Sequence, residues 1–308
     1  MELFTPGCLG TCWYGKYHYM EPFIGCAHNC LYCYARFRRN VSAAVREKES
    51  DFSKPVLAME KAALLEEIRK QTADGKIEIV KLCRFTDIFT PPFDADGTSF
   101  EILRALAQSP VKRIIITTKG VASPKVLKLI ARYPGKFSYN AVAKPIGEFR
   151  LEQGPENTRA RLEAAAQAKK AGALVTVHMD PVLVGVEDTP ELLGPFFDGL
   201  KKLGLNRVMF SYLLVNAEIA ALIKQNLPAK QANALLARYQ QQEIQILPAQ
   251  DDTAYANLLP ELKTESVKRI SALLAERGFE YVLCSLKSGK DGVKAGTGCP
   301  MCDGKFYA

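Results

Sequence analysis

Long hydrophobic runs are missing from this chain of 308 residues. No stretch of about 18 uncharged apolar residues occurs, so a transmembrane helix is not expected. The opening "MELFTPGCLGTCWYGKY" lacks the basic-then-apolar layout of a secretory signal, which points to a soluble cytoplasmic protein. Internal repeats, low-complexity segments and an obvious linker are also missing. Histidine is scarce: three residues are too few to nominate a general base. Of these, His28 lies within the densest group of cysteines and His18 shortly before it.

Cysteine, by contrast, is plentiful. Nine cysteines in a cytosolic chain argue against a disulfide framework and for metal or redox use. Cys8, Cys12, Cys26, Cys30 and Cys33 crowd the N-terminus, Cys284, Cys299 and Cys302 crowd the C-terminus, and only Cys83 stands alone. The hydrophobic fraction of 48% is ample for a full core. A net charge of +8 favours an anionic partner such as nucleic acid or a nucleotide, the alternative being a generic surface excess. The one dense basic run is "ARFRRN".

Short apolar runs rich in β-branched and aromatic residues read as buried strands at 76–83, 111–119, 136–144, 173–179 and 206–214. A first strand is expected at "YMEPFIG", 19–25. Helical patterns lie between them, several closing on glycine. This alternation predicts a parallel sheet with right-handed crossovers. The expected fold is α/β, a partial (β/α)6 barrel of TIM type, open rather than closed. Residues 217–243 and 264–278 read as helices, "YVLCS" as one more short strand, and the tail as a loop. The expected boundaries are an N-terminal extension over 1–19, a barrel core over 20–215 and a mostly helical and loop extension over 216–308.

The stretch "FIGCAHNCLYCYARFRR", residues 23–39, spaces Cys26, Cys30 and Cys33 as C-x3-C-x2-C. A disulfide needs two thiols and a tetrahedral zinc usually four ligands. A cubane iron–sulfur cluster has four irons, so three thiolates leave one iron open. Read alone, the loop suits either such a cluster or a zinc knuckle completed by His28 or a distant ligand.

The motif, placed after a first strand and with Tyr32 before its last cysteine, resembles that of the radical S-adenosylmethionine (SAM) enzymes. The resemblance implies a [4Fe–4S] cluster on Cys26, Cys30 and Cys33, whose open iron binds SAM and whose electron cleaves it to a 5′-deoxyadenosyl radical. It implies Tyr32 against the adenine, and a reductant such as flavodoxin or ferredoxin. From about 20 to 215 the chain further resembles the spore photoproduct lyase-like branch, through "LCRFTDIFTPPFD", "IIITTKG" and "HMDPVLVGVED". That branch carries a hydrogen-donor cysteine near the position of Cys83, although the spacing to the Thr-Asp pair is shifted by one residue.

Strand ends at the C-terminal face of a β/α barrel build its active site. Thr86, Asp87, Lys119, Ser138, Asn140, His178, Asp180 and Asn216 fall at or near such ends. Asp87 suits ribose hydroxyls or the sulfonium, Lys119 the SAM carboxylate, and the amides and hydroxyls the ribose and amino groups. Each could equally be a strand-end cap or turn. Cys83 could equally be a buried structural thiol.

"GTGCPMCDG" resembles a rubredoxin-like or zinc-ribbon knuckle. Cys8, Cys12, Cys299 and Cys302, with Cys284 as a further candidate, could share one metal: an auxiliary [4Fe–4S] cluster or zinc. This departs from the spore photoproduct lyase pattern, which has one cluster, and leaves the substrate open. Three readings stand: a radical SAM enzyme acting on a nucleic acid or nucleotide, one acting on a peptide or small metabolite, and a non-catalytic iron–sulfur or zinc protein binding nucleic acid.

Overall fold

The computed structural model describes residues 2–7, 17–155, 157–246 and 254–284. Its central sheet is built by β1 (Phe4–Pro6), β2 (Tyr17–Met20), β5 (Ile79–Leu82), β6 (Arg113–Thr118), β7 (Phe137–Val142), β8 (Leu174–Val182), β9 (Arg207–Tyr212) and β12 (Glu280–Leu283), hydrogen-bonded side by side in that order. All neighbours pair in parallel except β1, which runs antiparallel to β2. Six parallel strands are those expected; β12 extends the series and β1 closes the other edge. Both extensions therefore contribute a strand to the core sheet. Two short pairs complete the strands: β3 (Phe23–Ile24) with β4 (Val56–Leu57), and β10 (Tyr239–Ile246) with β11 (Ala254–Leu258).

The strands are legible because parallel strands covered on both sides carry nearly continuous apolar runs. In β7 all six residues are buried. The helices between the strands are α1 (Arg39–Glu47), α2 (Lys61–Thr72), α3 (Thr98–Gln108), α4 (Pro124–Arg132), α5 (Thr158–Lys170) and α6 (Pro190–Lys202). Their starts follow capping chemistry. Ser123 accepts from Val126 N with Pro124 at the first helical position, and Asn157 accepts from Ala160 N. After β9 come α7 (Ala217–Asn226), α8 (Ala229–Leu236) and α9 (Pro260–Glu276).

Two expectations need correction. The first strand at 19–25 is two elements, β2 and β3, with Glu21 and Pro22 between them. The helix expected over 217–243 breaks at Pro228, because proline lacks an N–H and pushes Leu227 into extended backbone (φ −111°, ψ 153°). Its last part is strand β10, paired with β11. No helix among the described residues is long and apolar enough to cross a membrane.

β3 matters for the site, since it launches the cysteine loop. Phe23 is fully buried and stacks on Phe93, with centroids 4.3 Å apart. Phe23→Ala should lower stability by roughly 3–5 kcal/mol, as large aromatic truncations in a core do. Chemical unfolding reads this out; a loss below about 1 kcal/mol would mean that the stack is not part of the rigid core.

Candidate active site

The C-terminal ends of the parallel strands and the loops that leave them converge on the cysteine loop. That loop is tied from several sides. Cys26 N donates to Phe52 O (2.6 Å), Ala27 N to Thr90 Oγ1 (2.9 Å) and Leu31 N to Leu151 O (2.8 Å). Gly25 (φ +88°) and Asn29 (φ +48°) take the left-handed backbone that turns the loop, conformations suited to glycine and asparagine.

Cys26 and Cys30 are buried, Cys33 is half-buried, and all three are free thiols. Among the described residues, no three His, Cys, Asp or Glu side chains converge as they would around one metal ion. Burial pushes the Cys30 thiol up to about 12 and Cys26 higher still. The thiolate form therefore needs a neighbouring positive charge, which iron would provide.

Asp87, just past β5, is the hub of the strand ends. Its Oδ1 accepts from Phe89 N (2.9 Å) and from the Thr118 hydroxyl (2.7 Å), and its Oδ2 accepts from Lys119 N (2.7 Å). His28 Nε2 lies 3.1 Å from Oδ2. Burial alone would raise the Asp87 pKa, but His28, Lys119 N–H and the Thr118 hydroxyl outweigh it and hold the carboxyl below its usual range. Three hydrogen bonds and the His28 contact tie Asp87 to the end of β6 and to the cysteine loop. Asp87 thus fixes neighbouring groups at the strand ends.

Cys83, at the end of β5, has φ +60° and is buried. Burial raises its pKa well above the thiol range, with Glu21, Asp87 and Cys26 adding to the effect and Thr86 opposing it. The Thr86 hydroxyl is its neighbour. Glu21, which follows β2, accepts from Arg84 N and from Phe85 N (3.4 Å), holding the turn after Cys83. Tyr34 donates to Arg84 O (2.7 Å) from the other side.

A second polar group lies over Tyr32. Its hydroxyl donates to Glu152 Oε1, and Glu152 Oε2 accepts from Arg161 Nη2 (2.9 Å). The ammoniums of Lys119 and Lys144 stand 5.5 and 5.3 Å from the Tyr32 ring centroid. Lys144 also pairs with Glu187 (3.0 Å) and donates to Pro181 O (2.8 Å). Burial would raise the Glu152 pKa, but Lys144, Lys119 and Arg161 bring it down to about 2. Burial pushes Glu187 up to about 7 despite Lys144. Burial also acts to lower Lys119, and Cys30, Glu152, Asp180 and Asp87 around it raise it instead, so it stays an ammonium.

The remaining candidates divide. Ser138 and Asn140 lie inside β7, short of its end, on the same face of the strand. Asn140 Nδ2 donates to Thr117 Oγ1 (3.1 Å), while its buried Oδ1 has no partner among the described residues. His178 is buried inside β8, and Asp180 accepts from the Ser211 hydroxyl (2.6 Å). Asn216 caps α7 by accepting from Ile219 N (2.8 Å), which accounts for its amide oxygen. In the basic run, Arg36 is held by Asn29 and the Phe52 ring and Arg38 is buried, so Arg39 is the arginine exposed to solvent. Cys284 is buried after β12; Cys8, Cys12, Cys299 and Cys302 lie outside the described residues. Glu21, Lys144, Glu152, Arg161 and Glu187 were not candidates from sequence. The only signal was a charged residue in each connection beyond a strand.

No family model matches the chain, and no curated protein does. Among solved structures, the chain is similar to spore photoproduct lyase. A cysteine-to-serine variant aligns with TM-score 0.62 and 14% identity, over 86% of this chain and 76% of that one. A cysteine-to-alanine variant with dinucleoside spore photoproduct aligns with TM-score 0.60 and 14% identity, over 85% and 75%. The lyase complexed with dinucleoside spore photoproduct gives 0.57 at 14%, over the same shares. At such identity the likeness carries the fold. The fold is a partial β/α barrel similar to that of spore photoproduct lyase.

Burial pushes the Glu21 carboxyl up to about 8 from 4.5, against the pull of Arg84 and Phe85 N–H, Arg84 and Lys81. An unfolded glutamate releases its proton near the lower value, so between the two the folded state binds more protons. The stability this contributes is complete below pH 4.5 and is lost as pH rises to 8. At about 1.4 kcal/mol per pH unit the loss is on the order of several kcal/mol. Glu21→Gln should remove it, so unfolding free energies measured at pH 5 and pH 8 should differ less in the variant. Equal differences would show that Glu21 is ionised in the folded protein.

Proposed function

We propose that this chain is a radical SAM enzyme, and that its substrate is a nucleic acid or a nucleotide. The observation that carries the reading is the C-x3-C-x2-C loop. It is seated at the strand ends of a partial barrel similar to that of spore photoproduct lyase, with Cys26 and Cys30 buried and Cys33 half-buried. Cys26, Cys30 and Cys33 would hold the [4Fe–4S] cluster. When bound, that group supplies the electron that cleaves SAM reductively to a 5′-deoxyadenosyl radical.

The chain's own part is binding and orientation. Lys119 stands as an ammonium beside Cys30 and Tyr32 and suits the SAM carboxylate. Ser138, Asn140 and His178 are buried polar groups for the ribose and amino end, and the open Oδ1 of Asn140 supports this. Asp87 orients His28 and Lys119 N–H and leaves direct contact to them. Cys83 is proposed as hydrogen-atom donor: its burial keeps the S–H bond intact at neutral pH, and it lies near Cys26.

The nucleotide reading rests on the net charge of +8 and on a lyase of the same fold, which is known with a dinucleoside bound. An acidic single-electron reductant and a reducing cytoplasm complete the proposal. Cys8, Cys12, Cys299 and Cys302 are proposed to hold an auxiliary [4Fe–4S] cluster, with zinc as the alternative.

Anaerobic reconstitution with iron and sulfide, followed by SAM and dithionite, should yield 5′-deoxyadenosine. Cys30→Ala should abolish it, and Lys119→Met should weaken SAM binding roughly tenfold or more, the scale of a lost charge-assisted contact. No deoxyadenosine from cluster-replete wild type would overturn the enzyme reading. About eight irons per chain would support the auxiliary cluster, and about four with one zinc would support the knuckle.

A further inference from the structure

The connection that leaves β7 is long for a β/α unit, and its residues 143–155 are of the kind that is usually functional. It runs across the cysteine loop. Leu31 N donates to Leu151 O (2.8 Å), Gly154 N to His28 O (2.9 Å) and Asn29 Nδ2 to Gln153 Oε1 (3.0 Å). Glu152, between those anchors, accepts from the Tyr32 hydroxyl. Four consecutive residues of the strap thus meet the loop between its first and last cysteines. A Cβ on Gly154 would lie 2.5 Å from Ala27 O and 2.9 Å from His28 O, both backbone atoms that cannot turn aside. The strap therefore fits the loop backbone to backbone.

The strap is itself fastened from behind. Arg161 of α5, with its side chain 3% exposed, grips Glu152 Oε2 at 2.9 Å and the Val142 carbonyl at 2.6 Å. Leu151 is 1% exposed. Glu152 is thus a buried anion with a cation behind it and Lys119 and Lys144 beside it, and it points at the phenol next to Cys33.

We propose that residues 151–154 are a template that holds the three-cysteine loop in its ligating shape, and that Glu152 is the positioning residue of that template. Resting on the reading above for the identity of the bound group, it acts through Tyr32 and touches no reacting atom. The loop's shape is then a property of the folded chain that does not wait for iron.

The test uses the full chain with Gly154→Ala and Glu152→Gln; the glutamine keeps an acceptor toward Tyr32 and loses the charge. Amide hydrogen exchange is followed in the cluster-free protein. Exchange in the peptide covering 27–34 should accelerate about fivefold or more, the scale of one lost hydrogen bond, while peptides from β6 and β8 keep wild-type rates. In reconstituted protein, loss of iron to a chelator should accelerate with it. Unchanged exchange over 27–34, or equal acceleration in every peptide, would overturn the template. If Gly154→Ala does not fold, Glu152→Gln and Gln153→Ala decide by the same readings. A wild type that takes up no iron would sink the functional reading, while the exchange experiment would still judge the template.

Discussion

One carboxylate holds the mouth of this barrel together. Strands β5 and β6 end side by side, and each leaves backbone N–H groups beyond the last ladder bond. Asp87 collects them: its two oxygens take the N–H groups of Phe89 and Lys119, the Thr118 hydroxyl and the contact with His28. Removing the carboxylate would strand several buried donors at once, and each stranded donor costs about 1–3 kcal/mol. The interaction also passes the position of the strand ends to the cysteine loop, because His28 sits between Cys26 and Cys30. The rest of the site takes its reference from this point.

The site is divided by charge. On the side of β2 and β5, burial raises the pKa of Glu21 and of Cys83, and it raises Cys30 where the loop meets Lys119. On the side of β6 and β7, Lys119, Lys144 and Arg161 gather around Glu152 and Tyr32, and Glu152 is held low and Lys119 high by the charges around them. Buried ions are tolerated where geometry and further hydrogen bonds offset desolvation. Here the further bonds go to backbone carbonyls, Val142 O for Arg161 and Pro181 O for Lys144. The two sides meet at Cys30, which has Lys119 and Glu152 beside it.

How much of this the sequence shows follows from what each feature depends on. Apolar runs locate the parallel strands because burial on both faces demands them, and the cysteine spacing locates the loop because its ligands are local. Asp87 was legible as a strand-end residue but not as a hub, since its partners come from three segments. Arg36 and Arg38 read as a basic run, yet the structure turns one onto Phe52 and buries the other. Asn216 caps α7 through its amide oxygen, a role its place before "AEIA" permits, and its buried Nδ2 has no partner among the described residues. Glu152 was not legible: nothing in "EFRLEQGPE" says that it lies beside Tyr32, 120 positions away.

Glu152 and Asp87 also solve the same mechanical problem from opposite sides. A nine-residue stretch around three thiols has too few apolar side chains to fix its own backbone, and fixing one residue costs about 1–2 kcal/mol of conformational freedom. The chain meets that cost with contacts made elsewhere in the fold: Phe52 and Thr90 before the loop's midpoint, Asp87 through His28 at its centre, and Leu151 to Gly154 after it. These contacts come from three separate connections of the fold, so the loop is braced from several sides. Rigid placement of a metal-ligating loop is what a site needs if the open coordination position is to face a bound ligand and not another thiol. The parallel ends of the β-sheet are therefore part of the reason the loop sits where it does.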